Sequence, residues 1–171
     1  IIRLDNSFDI ENFDELVEEI LVKLIKFAPD KVTKILCERF FSENNCGVKS
    51  KFVILTVINR AVEEISEYYQ NNNKPQVNLF HPYFINVIFP LLNYLQKQKL
   101  EFLITYDNFD LLLAKFIFII SNIIKVSENH PLVNKALFET FELFQAIIKM
   151  FTNKIKSHTL IESLNFYVNS S

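Results

Sequence analysis

The chain has 171 residues, half of them apolar, with 18 phenylalanines, one glycine, two cysteines and a net charge of −2 at neutral pH. That composition excludes a disordered chain, which could not bury enough surface to offset its conformational entropy. It also excludes a strong basic field that would gather nucleic acid or an acidic membrane.

From the N-terminus, Phe13, Leu16, Val17, Ile20, Leu21 and Leu24 recur at helical spacing, predicting a helix with one apolar stripe. Asp14, Glu15, Glu18 and Glu19 lie toward its start, where the helix dipole favours acids. "FAPDKV" breaks and restarts the chain, because Pro29 cannot continue the first helix but suits the first turn of a second. The second helix runs to about Phe41. Phe40 ends its apolar face, formed with Val32, Ile35 and Leu36, and is the expected anchor between the first two helices.

"FFSENNCGVKSK", Phe40 to Lys51, is the next connection and holds the lone glycine. Gly47 there predicts a turn through positive φ, a conformation in which a Cβ would clash. Lys49 and Lys51 follow at the start of the third helix, the wrong end of a helix dipole for cations. Two readings stay open: the lysines are solvated, or they answer to an outside partner.

The third helix carries Phe52, Leu55, Ile58, Val62 and Ile65 on one side, with Arg60 and Glu63 off it. "QNNNK" reads as a loop tip. "FHPYFINVIFPLLNYL" is a fourth helix, with Pro82 suiting its start and Pro90 expected to kink it. "YDNFDLLLAKF" starts a fifth, capped by Asp107 or Asn108 with Asp110 in its first turn. Its apolar run, Leu111 to Val126, is shorter than the ~20 residues a bilayer needs and reads as a core helix. A sixth follows Pro131, and a short last helix is expected from about Thr159 to Tyr167. Helices joined by short turns pack antiparallel, so the fold class is all-α. A HEAT-like α-solenoid section of antiparallel helix pairs is preferred over a compact bundle.

Catalytic chemistry is hard to assemble from these residues. One glycine excludes glycine-rich phosphate loops and dinucleotide fingerprints. His81, His130 and His158 lie far apart, and Cys37 with Cys46 lacks the further ligands a zinc site needs. Two cysteines make no disulfide framework, so a reducing compartment is expected. Cys37 reads as a core residue, and Cys46 as an exposed loop thiol beside lysines. Asp107 with Asp110 is a cap and a first-turn acid. Glu63 with Glu64, and Glu139 with Glu142, read as solvated faces. "KMFTNKIKSH", Lys149 to His158, is too weakly basic for a nucleic-acid surface. No enzyme activity, cofactor or metal is expected.

The order of landmarks resembles a known family. "FDELVEEILVKLIKFAPDKVTKILCERFFSENN" leads through a basic–x–basic element into a long helix closing "AVEEIS", then "FHPYFINVIFPLL" and "LLLAKFIFIISNIIKVSENHP". This is similar to the conserved C-terminal region of the telomere length regulation (Tel-two) family. Phe40 and Phe41 match its aromatic pair, and Glu64, Ile65 and Ser66 its closing element. Val48, Lys49 and Lys51 stand where that family has a leucine and two arginines. Cys46 replaces its tyrosine, Gly47 its serine and Ser50 its glutamine, and lysine lacks the planar fork of arginine.

The resemblance implies a single α-helical domain over residues 1–171, the C-terminal part of a longer protein. It implies a non-enzymatic scaffold and co-chaperone subunit of the Triple T complex, cytoplasmic and nuclear. Its partners would be the two other solenoid subunits, the phosphatidylinositol-3-kinase-related kinases and heat-shock chaperone machinery. Neither a small molecule nor a membrane is implied, nor direct DNA binding, and telomere and DNA-damage roles would follow from the kinases. Lys49 and Lys51 become candidate partner contacts, with Phe40, Phe41, Gly47 and Val48 the core of the motif. The alternatives are a nucleic-acid-binding helical module and an unrelated HEAT-like adaptor.

Overall fold

The computed structural model describes residues 9, 11–42, 46–70, 80–97, 109–127 and 130–151. Among them are six helices and no strand: α1 (Phe13–Phe27), α2 (Pro29–Phe40), α3 (Val48–Gln70), α4 (His81–Lys97), α5 (Phe109–Val126) and α6 (Val133–Phe151). The expected caps Asp107 and Asn108, most of the asparagine-rich loop, His158 and the Thr159–Tyr167 helix lie outside the described residues.

Local chemistry sets the boundaries. Only Ala28 separates α1 from α2, and Pro29 opens α2 where its missing N–H is no loss. Asn12 enters α1 in the left-handed region at φ 58°, which asparagine tolerates better than most residues. Before α6, the Leu132 N–H donates to His130 Nδ1 at 3.0 Å and the Val133 N–H to the His130 carbonyl at 2.9 Å. Helix α4 continues through Pro90 and so forfeits the bond that residue's N–H would have donated.

The helices pack in two rows. Helix α1 packs on α3 and α3 on α5; α2 packs on α4 and α4 on α6. Further contacts between α1 and α2, α2 and α3, α4 and α5, and α5 and α6 tie the rows together. Two ion pairs give the sense of the first row. Lys49 Nζ meets Asp14 Oδ2 at 2.7 Å, and Lys26 Nζ meets Glu64 Oε2 at 3.1 Å. Early α1 thus meets early α3 and late α1 meets late α3, so the two helices run parallel. Parallel alternate helices are what stacked pairs produce, and the arrangement is compatible with an α-solenoid section.

The third and fifth helices form the middle of the core. Ile54, Leu55, Val57, Ile58, Ala61, Val62 and Ile65 of α3 are buried, as are Ile117, Ile120 and Ile123 of α5. The apolar run of α5 is therefore a core helix, and none of the described helices is long and apolar enough to cross a membrane. Between α3 and α5 lies one polar seam. Asn122 Nδ2 donates to Asn59 Oδ1 at 2.9 Å and to Glu63 Oε1 at 3.1 Å, and Asn59 Nδ2 donates to Glu63 at 2.7 Å. Glu63 is thus a half-buried acceptor, not part of a solvated face. Glu64 does lie toward solvent, where it pairs with Lys26 and Arg60.

The stripe expected on α1 is rotated. Leu21, Val22 and Ile25 are buried, while Leu16, Ile20 and Leu24 are 47%, 44% and 40% exposed. The α1 sequence has two apolar faces, and spacing alone does not choose between them. Ile35 likewise does not join Phe40 in the core, being half exposed.

Both aromatic residues at the end of α2 are anchors. Phe40 and Phe41 are each buried, with rings edge to face at 4.8 Å. Phe116 of α5 completes a triad, 6.0 Å from Phe40 and 6.5 Å from Phe41. Adjacent residues can both point inward because α2 stops between them, at Phe40. Phe40→Ala and Phe41→Ala should each cost about 3–5 kcal/mol. Urea unfolding of the two variants checks this, and a loss below about 1 kcal/mol at either position would place that ring at the surface.

Candidate functional site

The corner between α2 and α3 gathers every residue the sequence singled out: Phe40, Phe41, Gly47, Val48, Lys49 and Lys51. Helix α2 ends there with its last carbonyls facing protein. The Phe41 N–H donates to the Cys37 carbonyl at 3.0 Å, and the Ser42 N–H to that of Arg39 at 3.2 Å. Those bonds leave the carbonyl of Phe40 to be satisfied.

Lys51 satisfies it. Its side chain is fully buried, and Nζ donates to the Phe40 carbonyl and, at 3.4 Å, to that of Ser42. The ammonium also lies 5.2 Å from the centre of the Phe40 ring. A cation at the unfavourable end of α3 is thereby delivered to the favourable, C-terminal end of α2. Lys51 is accordingly neither a solvated helix start nor a surface available to a partner. Helical spacing shows where its Cα sits but not that a four-carbon stem reaches back across the connection.

Lys49 is the one that faces water. Its side chain is 81% exposed and pairs with Asp14 of α1, which holds the ammonium pKa above its ordinary value through a hydrogen bond and through charge. Two positions along α3 turn the side chain by about 200°, which sends the two lysines to opposite sides of the helix and to different environments.

Gly47 is not in the left-handed region, since no glycine has positive φ. Its carbonyl accepts the Lys51 N–H at 3.1 Å and so closes the first turn of α3. Nothing lies within 4 Å of where a Cβ would stand. Glycine here acts as a permissive helix entry, and alanine would fit the same space. Val48 beside it is half-buried.

Cys46 is buried, contrary to its expected exposure. Burial pushes its thiol pKa up, although Lys51 and Arg39 pull the other way. The thiol is therefore less nucleophilic than a free cysteine. Cys37 is a core residue, its thiol raised further by burial and by Glu38. No cluster of three metal-ligating side chains occurs among the described residues.

Burial holds the Lys51 pKa below its ordinary value, and the charge of Cys46 opposes this only in part. The native state therefore releases this proton at lower pH than the unfolded chain, whose lysines titrate at about 10.4. Between those values the unfolded state binds more protons, so this group's contribution rises with pH. Wild type should gain stability relative to Lys51→Met as pH is raised from about 7 toward about 10. Paired denaturation curves measure the difference, and a gap that narrows with pH would contradict the burial.

At neutral pH, Lys51→Met leaves two carbonyls without their donor and should cost about 1–3 kcal/mol. Lys51→Glu sets a buried carboxylate against those carbonyls and should cost about 3–5 kcal/mol. Lys49→Glu should leave the melting temperature nearly unchanged, because exposed pairs contribute little. Melting of the three variants tests the division, and an unaffected Lys51→Glu would sink it.

Residues 1–62 match the family model described as "Telomere length regulation protein". The matched stretch holds α1, α2, the whole corner and most of α3, and it supports the family assignment through this N-terminal part of the chain. The later landmarks, "FHPYFINVIFPLL" and the leucine-rich fifth helix, lie outside it. No curated protein and no solved structure matches the chain.

Proposed function

We propose that this chain, joined to the telomere length regulation family through residues 1–62, is a helical scaffold without catalytic activity. It serves in the maturation and stability of phosphatidylinositol-3-kinase-related kinases, alongside the two other solenoid subunits of the Triple T complex and heat-shock chaperone machinery. Telomere length and DNA-damage roles follow from the supply of those kinases, in the cytoplasm and the nucleus.

The observation that carries this reading is the family match over α1 to α3. Two physical features support it. The net charge of −2 gives no general attraction to nucleic acid. Stacked helices also expose long faces of fixed spacing, which suit a scaffold for other solenoids. Within the corner, Lys49 is the contact candidate that remains at the surface, beside Asp14. A charged rim residue of this kind guides association and partner choice more than it adds affinity.

Depletion of the protein should lower the abundance of several kinases of this class together, and immunoprecipitation should recover the two partner subunits. Lys49→Glu should weaken that recovery without lowering the melting temperature, and added salt should weaken the wild-type contact. Unchanged kinase levels after depletion would overturn the scaffold role. Undiminished recovery by Lys49→Glu would remove only Lys49 from the interface. Tight DNA binding with a steep salt dependence would favour a nucleic-acid module instead.

A further inference from the structure

The seam between α3 and α5 holds a carboxylate that no cation meets. Glu63 Oε1 accepts from Asn59 Nδ2 at 2.7 Å and from Asn122 Nδ2 at 3.1 Å. Among the described residues, its second oxygen Oε2 has no partner, and neither has Asn122 Oδ1. No ion pair reaches Glu63 among them either, since Arg60 and Lys26 are both engaged by Glu64. A neutral glutamine oxygen could accept the same two amide bonds, so the seam's geometry does not require the charge.

The seam is open to solvent without being an end of the row. Glu63, Asn59 and Asn122 are each half-buried. Helix α3 packs on both α1 and α5, so both walls of the seam are present. The two asparagines fix the carboxylate from different helices, and a group already held in place loses little freedom on binding.

Two open acceptors on facing helices, one of them charged, suit a donor that is cationic, planar and forked. The guanidinium of arginine has that form, with paired N–H groups for Glu63 Oε2 and Asn122 Oδ1. A lysine ammonium would answer the charge as a point, without the fork. Lys115 lies seven residues before Asn122 on the same face of α5, so the seam admits one basic side chain and repels a basic run.

We propose that the α3–α5 seam receives a single arginine side chain of a partner polypeptide, held by Glu63 Oε2 and Asn122 Oδ1. This site is separate from Lys49, and its occupancy does not depend on which assembly the scaffold serves.

Titration of the isotope-labelled full chain with N-acetyl-arginine amide, from about 0.1 to 20 mM and followed by NMR, tests this. The side-chain amide signals of Asn59 and Asn122 should move together and saturate, while signals around exposed Glu142 stay in place. N-acetyl-citrulline amide, which keeps the shape without the charge, should leave the seam unmoved, and N-acetyl-lysine amide should bind more weakly than the arginine probe. Glu63→Gln should raise the Kd for the arginine probe at least about tenfold. Its melting temperature should hold, because glutamine still offers one oxygen to both asparagines. A seam that shows no saturating shift overturns the proposal. So does an equal response to citrulline, a lysine probe that binds as tightly, an equal response around Glu142, or undiminished binding by folded Glu63→Gln. The three probes act on wild type, so the site remains testable should the variant fail to fold.

Discussion

The C-terminus of α2 ends inside the protein, and a single ammonium meets it. A buried carbonyl without a donor costs free energy, and a buried cation without partners costs more. Lys51 answers both demands at once, through the carbonyls of Phe40 and Ser42 and the face of the Phe40 ring. The negative end of the α2 dipole adds to the attraction. This contact holds the end of one helix to the beginning of the next across a connection that also buries Cys46. Neither helix could rotate far about its axis without uncovering a charge.

The aromatic triad extends that constraint into the core. Phe40 lies against Lys51 on one side and Phe116 of α5 on another. The α2–α3 corner is therefore tied both to its own connection and to the middle of the odd row. In the same row, Lys49–Asp14 and Lys26–Glu64 hold α1 parallel to α3 at the two ends. Asn59, Glu63 and Asn122 join α3 to α5 in the interior. Polar contacts with defined partners discriminate between registers that apolar packing would tolerate almost equally. The family match covers the first part of this arrangement, including the corner.

Much of this fold is legible in the residues alone. Helical periodicity and the punctuation by Pro29, Pro82 and Pro131 place the helices, because backbone geometry and local hydrogen bonding act over a few residues. The burial of α5 follows from its apolar content, and the core place of Phe40 and Cys37 from their positions on α2. The order of landmarks through the corner carries the family resemblance without any coordinates.

What the tertiary structure decided is which of several chemically acceptable environments each ambiguous side chain took. Helix α1 has two apolar faces, and only the position of α2 and α3 buries Leu21, Val22 and Ile25 while leaving Leu16, Ile20 and Leu24 outside. Gly47 has no positive φ, and its carbonyl instead accepts the Lys51 N–H that closes the first turn of α3. Lys49 and Lys51 are the same residue type in the same turn, yet one pairs with Asp14 in water and the other is buried at the end of α2. Spacing determines the rotation between two side chains on a helix. Where each then points depends on the neighbours that close around it, and those come from distant parts of the chain.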